Sequence, residues 1–247
     1  MPLGPSTSVS APSPVALITG ASRGIGAAAA RCFAAAGYDL LLLARNGAEL
    51  DALAGELRRG GGRVETCQLD LSDPAAIAPG LSELLGRGLL PTVVINNAGG
   101  GYTGALAEMP LEQWQWLMQL NVTSVLQVCQ AVLPALRSNQ GLIINVSSHA
   151  ARQAFSDWGA YCCTKAALAS LSRCLAEEER AHGVRVSTLT LGAVNTPLWD
   201  TETVHSCFDR RAMLLPERAA EALLNLAQQP PSQLVEDLTL MPAAGAL

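Results

Sequence analysis

The feature that most constrains this chain is the run Tyr38–Ala44, which holds four consecutive leucines, Leu40 to Leu43. A strand apolar at alternate positions can keep one face in water. A strand apolar at every position must be covered on both faces. Similar runs recur at Val15–Thr19, Thr92–Asn96, Leu142–Ser147 and Val184–Leu191, with further strand candidates at Arg63–Leu69 and Leu238–Met241. Between them lie stretches of helical spacing: Ile25–Ala36, ended by Gly37; Gly47–Arg59, with Leu50, Leu53 and Leu57 on one face; a helix opened by Asp73-Pro74; Leu111–Arg137, disturbed near Asn121; Trp158–His182, ended by Gly183; and Pro216–Gln228. Continuously apolar strands alternating with helices predict an α/β fold. The expected form is a doubly wound Rossmann-type parallel sheet of about seven strands, with helices on both faces. No second composition regime appears, so residues 14–247 are read as one domain. The Pro- and Ser-rich, uncharged segment 1–13 is predicted to be a flexible tail.

Composition excludes several classes. With 247 residues and 49% hydrophobic content, the chain can bury a full core without disulfides or metals. Sixteen basic against 21 acidic residues give a net charge of −5, which speaks against a nucleic-acid partner. The seven cysteines, at positions 32, 67, 129, 162, 163, 174 and 207, are odd in number and follow no zinc spacing. They are read as reduced thiols of a cytoplasmic protein. The first 14 residues carry no positive charge and no apolar run, so no signal peptide is expected. No uninterrupted apolar stretch suggests a membrane partner.

The first strand runs into Thr19-Gly20-Ala21-Ser22-Arg23-Gly24-Ile25-Gly26, which opens the first helix. Glycines there allow a tight turn and close backbone approach to a pyrophosphate, and a helix N-terminus supplies N–H donors and a positive dipole. The second strand ends in Ala44-Arg45-Asn46, where an NAD site would carry an acidic residue for the ribose 2′-hydroxyl. A carboxylate would repel a 2′-phosphate, whereas a guanidinium grips it bidentately. Arg45, with Arg23 in the glycine loop, therefore predicts NADP(H) as the cofactor.

Tyr161 and Lys165 stand four apart at the start of a predicted helix and share a face. A free phenol has a pKa of about 10, and a neighbouring ammonium is expected to lower it toward the working pH of an acid–base catalyst. Ser147-Ser148 close the preceding strand, where a hydroxyl can polarise a substrate carbonyl.

With these residues in hand, the chain resembles the short-chain dehydrogenase/reductase family over essentially everything after residue 14. The joint pattern is Thr19-Gly20-x-x-x-Gly24-x-Gly26, Asn96-Asn97-Ala98-Gly99, Asn121, Ser148, Tyr161 and Lys165. The resemblance implies that Tyr161 is the general acid in reduction and Ser148 orients the carbonyl. Lys165 would hold the nicotinamide ribose and depress the Tyr161 pKa, and Asn121 would hold a water in a proton relay. It also implies cofactor contacts from Gly20, Ser22, Arg23, Gly24, Ile25, Gly26, Arg45, Asp70, Leu71, Asn97, Ala98, Gly99, Gly192, Val194 and Thr196. Two departures stand out. Leu191-Gly192 replaces the family's usual Pro-Gly, and the C-terminus lacks the glycine pair common in 3-oxoacyl carrier-protein reductases. Losing a φ-locked proline is expected to loosen the loop that follows.

Gly99–Tyr102, His149–Trp158 and Val194–Phe208 are expected to border the substrate, with residues 195–215 forming a mobile lid. The chain has ten aromatic residues, four Trp, three Tyr and three Phe. Six of them, Tyr102, Phe155, Trp158, Tyr161, Trp199 and Phe208, fall in these stretches or on the catalytic helix, which predicts a partly aromatic pocket. Leu117, Leu120, Val128, Leu168, Leu171 and Leu175 exceed what one sheet contact needs, which suggests a homo-oligomer, a tetramer or dimer. The function expected is NADPH-dependent reduction of a ketone or aldehyde. The alternatives are a 3-oxoacyl thioester reductase and a non-catalytic NADP-binding sensor.

Overall fold

The computed structural model describes residues 13–206 and 208–246. The expected tail, except for Ser13, and Cys207 lie outside the described residues. Seven strands form one parallel sheet: β1 (Val15–Thr19), β2 (Asp39–Ala44), β3 (Val64–Gln68), β4 (Val93–Asn96), β5 (Leu142–Ser148), β6 (Arg185–Leu191) and β7 (Asp237–Leu240). Their order is β3-β2-β1-β4-β5-β6-β7. The four leucines of β2 divide evenly. Leu40 and Leu42 enter one core, while Leu41 and Leu43 enter the other, and all four are fully buried. Each such side chain contributes about 1.5–3 kcal/mol of burial free energy.

The helices α1 (Gly24–Ala35), α2 (Gly47–Arg58) and α7 (Pro216–Ala227) cover the first core. The helices α3 (Pro74–Gly86), α5 (Ser124–Asn139) and α6 (Gly159–Glu179) cover the second. Local chemistry sets their starts. Asn46 accepts a hydrogen bond from the Glu49 N–H, and Asp73 accepts one from Ala75 with Pro74 in the first turn. Because the chain leaves β1 toward β2 and leaves β4 toward β5, the connections diverge at the C-terminal ends of β1 and β4. The ligand-binding crevice of such a sheet opens there.

Three expectations change. The long helix predicted over Leu111–Arg137 is two helices, α4 (Leu111–Met118) and α5, joined by a π-turn at Gln119–Thr123. The extra residue of that turn swings Asn121 inward, where it is 1% exposed, and Ser124 steadies it by donating to the Leu120 carbonyl. The whole run, Leu111–Asn139, is 29 residues long and apolar enough by length and composition to cross a membrane. The run is not uninterruptedly apolar, since it carries Glu112, Gln119, Asn121 and Arg137, and the core helix of a compact domain meets the same measure.

The side chains offered as surplus for a subunit contact are taken up inside the chain. Leu117, Val128, Leu168 and Leu175 are buried, and Leu120 and Leu171 pack against the same core. The argument for association from those six residues therefore lapses. The exposed leucines of this region are Leu106, Leu111 and Leu126 instead.

The loop after β6 is tied down without the proline. Gly192 N–H donates to the Leu240 carbonyl, Leu214 N–H to Ala193, and Asn195 N–H to Leu214. Leu191 is 3% exposed and continues the ladder between Ser148 and Leu240.

Candidate active site

The crevice holds one cleft of about 980 Å³. Of the residues expected at the site, Gly20, Ser22, Arg23, Gly24, Ile25, Arg45, Asp70, Leu71, Asn97, Ala98, Gly99, Ser148, Tyr161, Lys165, Gly192, Val194 and Thr196 all line it. Gly26 and Asn121 do not. Gly26 acts one layer back, since a Cβ there would lie 2.1 Å from the Gly20 carbonyl oxygen, which brings α1 hard against the loop. Gly20 and Gly24 have φ of +63° and +56°, a region that glycine enters without cost. Thr19 binds the loop to β4: its hydroxyl accepts from the Asn97 and Ala98 N–H groups, and the Asn97 amide donates to the Thr19 and Gly20 carbonyls. Asn97 thus shapes the cradle as well as lining it.

The cradle fits a dinucleotide phosphate. Backbone is laid bare where a Cβ at Gly20 would strike Ala98, and the exposed Arg23 and Arg45 have no ion-pair partner among the described residues. Glu49 also lines this end. Asp70 holds one carboxylate oxygen toward Ser72, taking bonds from its N–H at 2.9 Å and its hydroxyl at 2.7 Å.

Ser148, at the end of β5, lies beside the first turns of α6, which carry Tyr161 and Lys165. Lys165 Nζ donates to the Val146 carbonyl at 3.0 Å and lies 5.7 Å from the centre of the Tyr161 ring. The electrostatics depart from expectation. Burial pushes the Tyr161 phenol up to about 12, with a hydrogen bond from Ser148 pulling it back only in part. Burial also draws Lys165 down to about 8. Desolvation disfavours both charged forms and outweighs any lowering of the phenol by Lys165. Asn121 is bound firmly. Its amide donates to the Gly100 carbonyl and to the Thr164 hydroxyl, each at 3.0 Å, and its oxygen accepts from Gly100 N–H at 2.9 Å. Those bonds fix the Gly99–Gly101 strip against α6.

The other end of the cleft is aromatic. Trp158 meets Tyr161 edge to face at 5.5 Å, Trp199 meets Trp158 at 5.6 Å, and Phe208 meets Trp199 at 5.6 Å. Tyr102, expected here, does not line the cleft; its ring lies over Gly104. Trp116 of α4 takes its place, touching the strip at Gly100. Sequence reasoning missed Trp116, Gln113, Met241 and Ala246. Only the π-turn that rotates α4, and the return of the C-terminus past Gly192, bring them in.

Residues 195–215, expected as a mobile lid, form two short 3₁₀ turns, Pro197–Asp200 and Arg210–Ala212. Arg210 joins them, donating to Asn195 Oδ1 at 2.8 Å, the Thr196 carbonyl at 3.0 Å and Asp200 Oδ1 at 3.0 Å. Arg152, the one arginine just after Ser148, turns away from the cleft to Asp237 and Thr239. His149 lines the cleft with its Nε2 against Gln153 at 2.9 Å.

Comparison with known proteins agrees with this architecture. The short chain dehydrogenase family profile matches residues 14–205, and the chain belongs to that family. An uncharacterised oxidoreductase of Mycobacterium tuberculosis is 37% identical over 212 residues, 83% of this chain and 61% of the relative. The chain thus spans about three-fifths of the length of that relative. The sepiapterin reductase of Chlorobaculum tepidum is 31% identical over 242 residues, 94% of this chain and 97% of the relative. Among solved structures, an alcohol dehydrogenase from the archaeon Thermococcus sibiricus, complexed with 5-hydroxy-NADP, superposes with a TM-score of 0.88 at 32% identity. It covers 96% of this chain and 99% of its own. An L-sorbose reductase from Gluconobacter frateurii, complexed with NADPH and L-sorbose, gives 0.84 at 26% identity, with coverage of 93% and 95%.

Proposed function

We propose that the protein is an NADPH-dependent reductase that converts a ketone or aldehyde to an alcohol. The observation that carries this reading is the meeting, in one cleft, of Ser148, Tyr161 and Lys165 with a glycine cradle flanked by Arg23 and Arg45. The two solved neighbours described above, which hold NADP-type cofactors, support the cofactor choice. Bound there, NADPH supplies a hydride to the carbonyl carbon.

The chain does the rest. Arg45 and Arg23 would hold the 2′-phosphate, and the α1 N-terminus would receive the pyrophosphate. The Ser148 hydroxyl donates to the carbonyl oxygen and fixes it beside Tyr161. The Tyr161 hydroxyl then gives its proton to that oxygen. A phenol held near 12 keeps its proton at neutral pH, yet it remains far more acidic than the alcohol that the forming alkoxide becomes, so the proton passes to that oxygen. The phenolate left behind is steadied by the Lys165 ammonium. Lys165 would also hold the nicotinamide ribose, and Asn121 holds the Gly100 backbone against α6.

The test is NADPH oxidation over a panel of ketones, aldehydes and acetoacetyl thioesters, with Tyr161→Phe beside it. Turnover of free carbonyls that vanishes in the variant supports the reading. Turnover of thioesters alone assigns the protein to acyl-chain chemistry, and tight NADPH binding with no turnover of any carbonyl assigns a sensor. The same reading includes a homo-oligomer in the cytoplasm, now resting on the exposed Leu111 and Leu126 of α4 and α5. A monomeric mass by light scattering refutes the association.

A further inference from the structure

The substrate half of the cleft has a composition of its own. Of the chain's ten aromatic residues, six line the cleft: Trp116, Phe155, Trp158, Tyr161, Trp199 and Phe208. They are not scattered. An edge-to-face file runs from the Tyr161 phenol through Trp158 and Trp199 to Phe208, with ring centres 5.5 to 5.6 Å apart. Such a wall offers ring faces and edges to a flat guest, and aromatic pairs of this geometry are worth more than their buried area alone.

The unpaired charge at the outer end of this half has one sign. Among the described residues, lysine and arginine line the cleft only as Arg23 and Arg45 of the cofactor half and as Lys165 at the catalytic centre. Arg152 is turned away to Asp237 and Thr239, and Arg210, behind the rim, is engaged by Asn195, Thr196 and Asp200. At the rim, directly after Trp199, stand Asp200 and Glu202. Arg210 neutralises Asp200 at 3.0 Å, whereas Glu202 has no ion-pair partner among the described residues.

From this arrangement we infer that the substrate is an aryl carbonyl compound without negative charge, and that Glu202 is a specificity residue that favours a cationic group and turns anions away. The inference rests on the reductase reading and narrows it. The ring lies against the Trp158–Trp199 file with its carbonyl toward Ser148 and Tyr161, and its far substituent points to the rim. A carboxylate there meets the unpaired Glu202 and is repelled; an ammonium there meets an attractive charge.

The experiment compares four methyl ketones as NADPH-dependent substrates at low salt. They are acetophenone, its para-aminomethyl derivative, its para-carboxylate and cyclohexyl methyl ketone. The expected order in kcat/KM is ammonium, neutral aryl, then carboxylate. The ammonium exceeds the carboxylate by about tenfold, since each charge contact at an exposed rim is worth only a few-fold in water. That gap narrows as salt is added. The cyclohexyl ketone falls below acetophenone by about fivefold. Glu202→Gln shrinks the ammonium-to-carboxylate ratio by about tenfold, to near one, and Glu202→Lys inverts it. A carboxylate turned over as well as the ammonium, a cyclohexyl ketone as good as the aryl one, or a ratio unmoved by Glu202→Lys overturns the inference while leaving the reductase reading intact. No turnover of these ketones or of any other carbonyl, with NADPH still bound, overturns both.

Discussion

In the cofactor half of the cleft, each wall is the end of a strand or the first turn of a helix. Gly20, Arg45, Asp70 and Asn97 follow β1, β2, β3 and β4 in succession. In the substrate half, the walls come from α4 and the π-turn after it, the 3₁₀ turn Pro197–Asp200 and a C-terminal return, held together by bonds such as Arg210 to Thr196 and Gly192 to Leu240. The first half inherits its geometry from a parallel ladder that the core enforces. The second has to be assembled from side chains distant in sequence. Cofactor binding on a rigid edge and substrate selection on tied loops fit that division.

The largest effect falls where the halves meet. Tyr161→Phe removes the proposed proton donor while keeping the ring that Trp158 packs on. The carbonyl reduction rate should fall by about 10²- to 10⁴-fold, with NADPH affinity unchanged by fluorescence titration. A loss confined to KM would place the acid elsewhere. The same centre predicts a pH dependence. Lys165 is drawn by burial from the ordinary lysine value of 10.5 to about 8, so its ammonium is lost as pH rises through about 8. The reduction rate should decline above that pH, because the charge that steadies the phenolate disappears. Stability moves the other way. Between about 8 and 10.5 the unfolded chain holds a proton that the folded protein has released, so Lys165 makes stability rise with pH in that window. Urea midpoints at pH 8 and 10, compared with Lys165→Met, measure the difference; a variant with the same pH slope as the parent refutes it.

Next in size is the cradle. Gly26→Ala places a methyl 2.1 Å from the Gly20 oxygen, and neither partner is a flexible side chain. Overpacking of this kind costs about 1–3 kcal/mol, read as a lowered thermal midpoint together with weakened NADPH binding. Unchanged values in both would show that α1 does not need to approach the loop so closely. Arg45→Asp leaves the cradle intact and exchanges a charged hydrogen-bond donor for a repulsive charge. A charge-assisted contact is worth about 1.5–3 kcal/mol, so the NADPH-to-NADH ratio of kcat/KM should fall by about 10- to 100-fold. A ratio that stays put would mean that Arg45 is a solvated surface group.

Which parts could be read from the sequence follows the same boundary. The four leucines of β2 announced a sheet covered on both faces, and they do alternate between its two cores. The glycine loop was legible because its spacing is local and its neighbours are strands. Lys165 and Tyr161 were legible as a pair, but their electrostatics were not. The sequence shows an ammonium four residues from a phenol and does not show the burial that shifts both groups toward neutrality. Trp116 was illegible for a different reason. It stands beside a π-turn whose Asn121 is bonded to Gly100 and Thr164, contacts across the fold that no local spacing announces. The surplus leucines misled because counting apolar faces along α5 and α6 cannot tell a second core partner from a second subunit.

The smallest effect tests whether the substrate half is as firmly set as the cofactor half. The family's usual proline is Leu191 here, and its stiffening role passes to hydrogen bonds. Arg210 alone makes three, to Asn195, Thr196 and Asp200, and so couples the segment before Trp199 to the turn at Arg210–Ala212. Arg210→Met keeps the length of the side chain and removes the fork. The loop should then relax outward and carry Trp199 away from Trp158. A few-fold to about tenfold rise in substrate KM is expected, the worth of one or two partly exposed hydrogen bonds, with little change in kcat and NADPH affinity. Arg210→Lys keeps a charge for Asp200 but loses the planar fork, so it should recover only part of the loss. A variant that lowers kcat and KM together, or weakens NADPH binding as much as substrate binding, would show that the clasp serves both halves and that the division between them is less sharp than the bonds suggest.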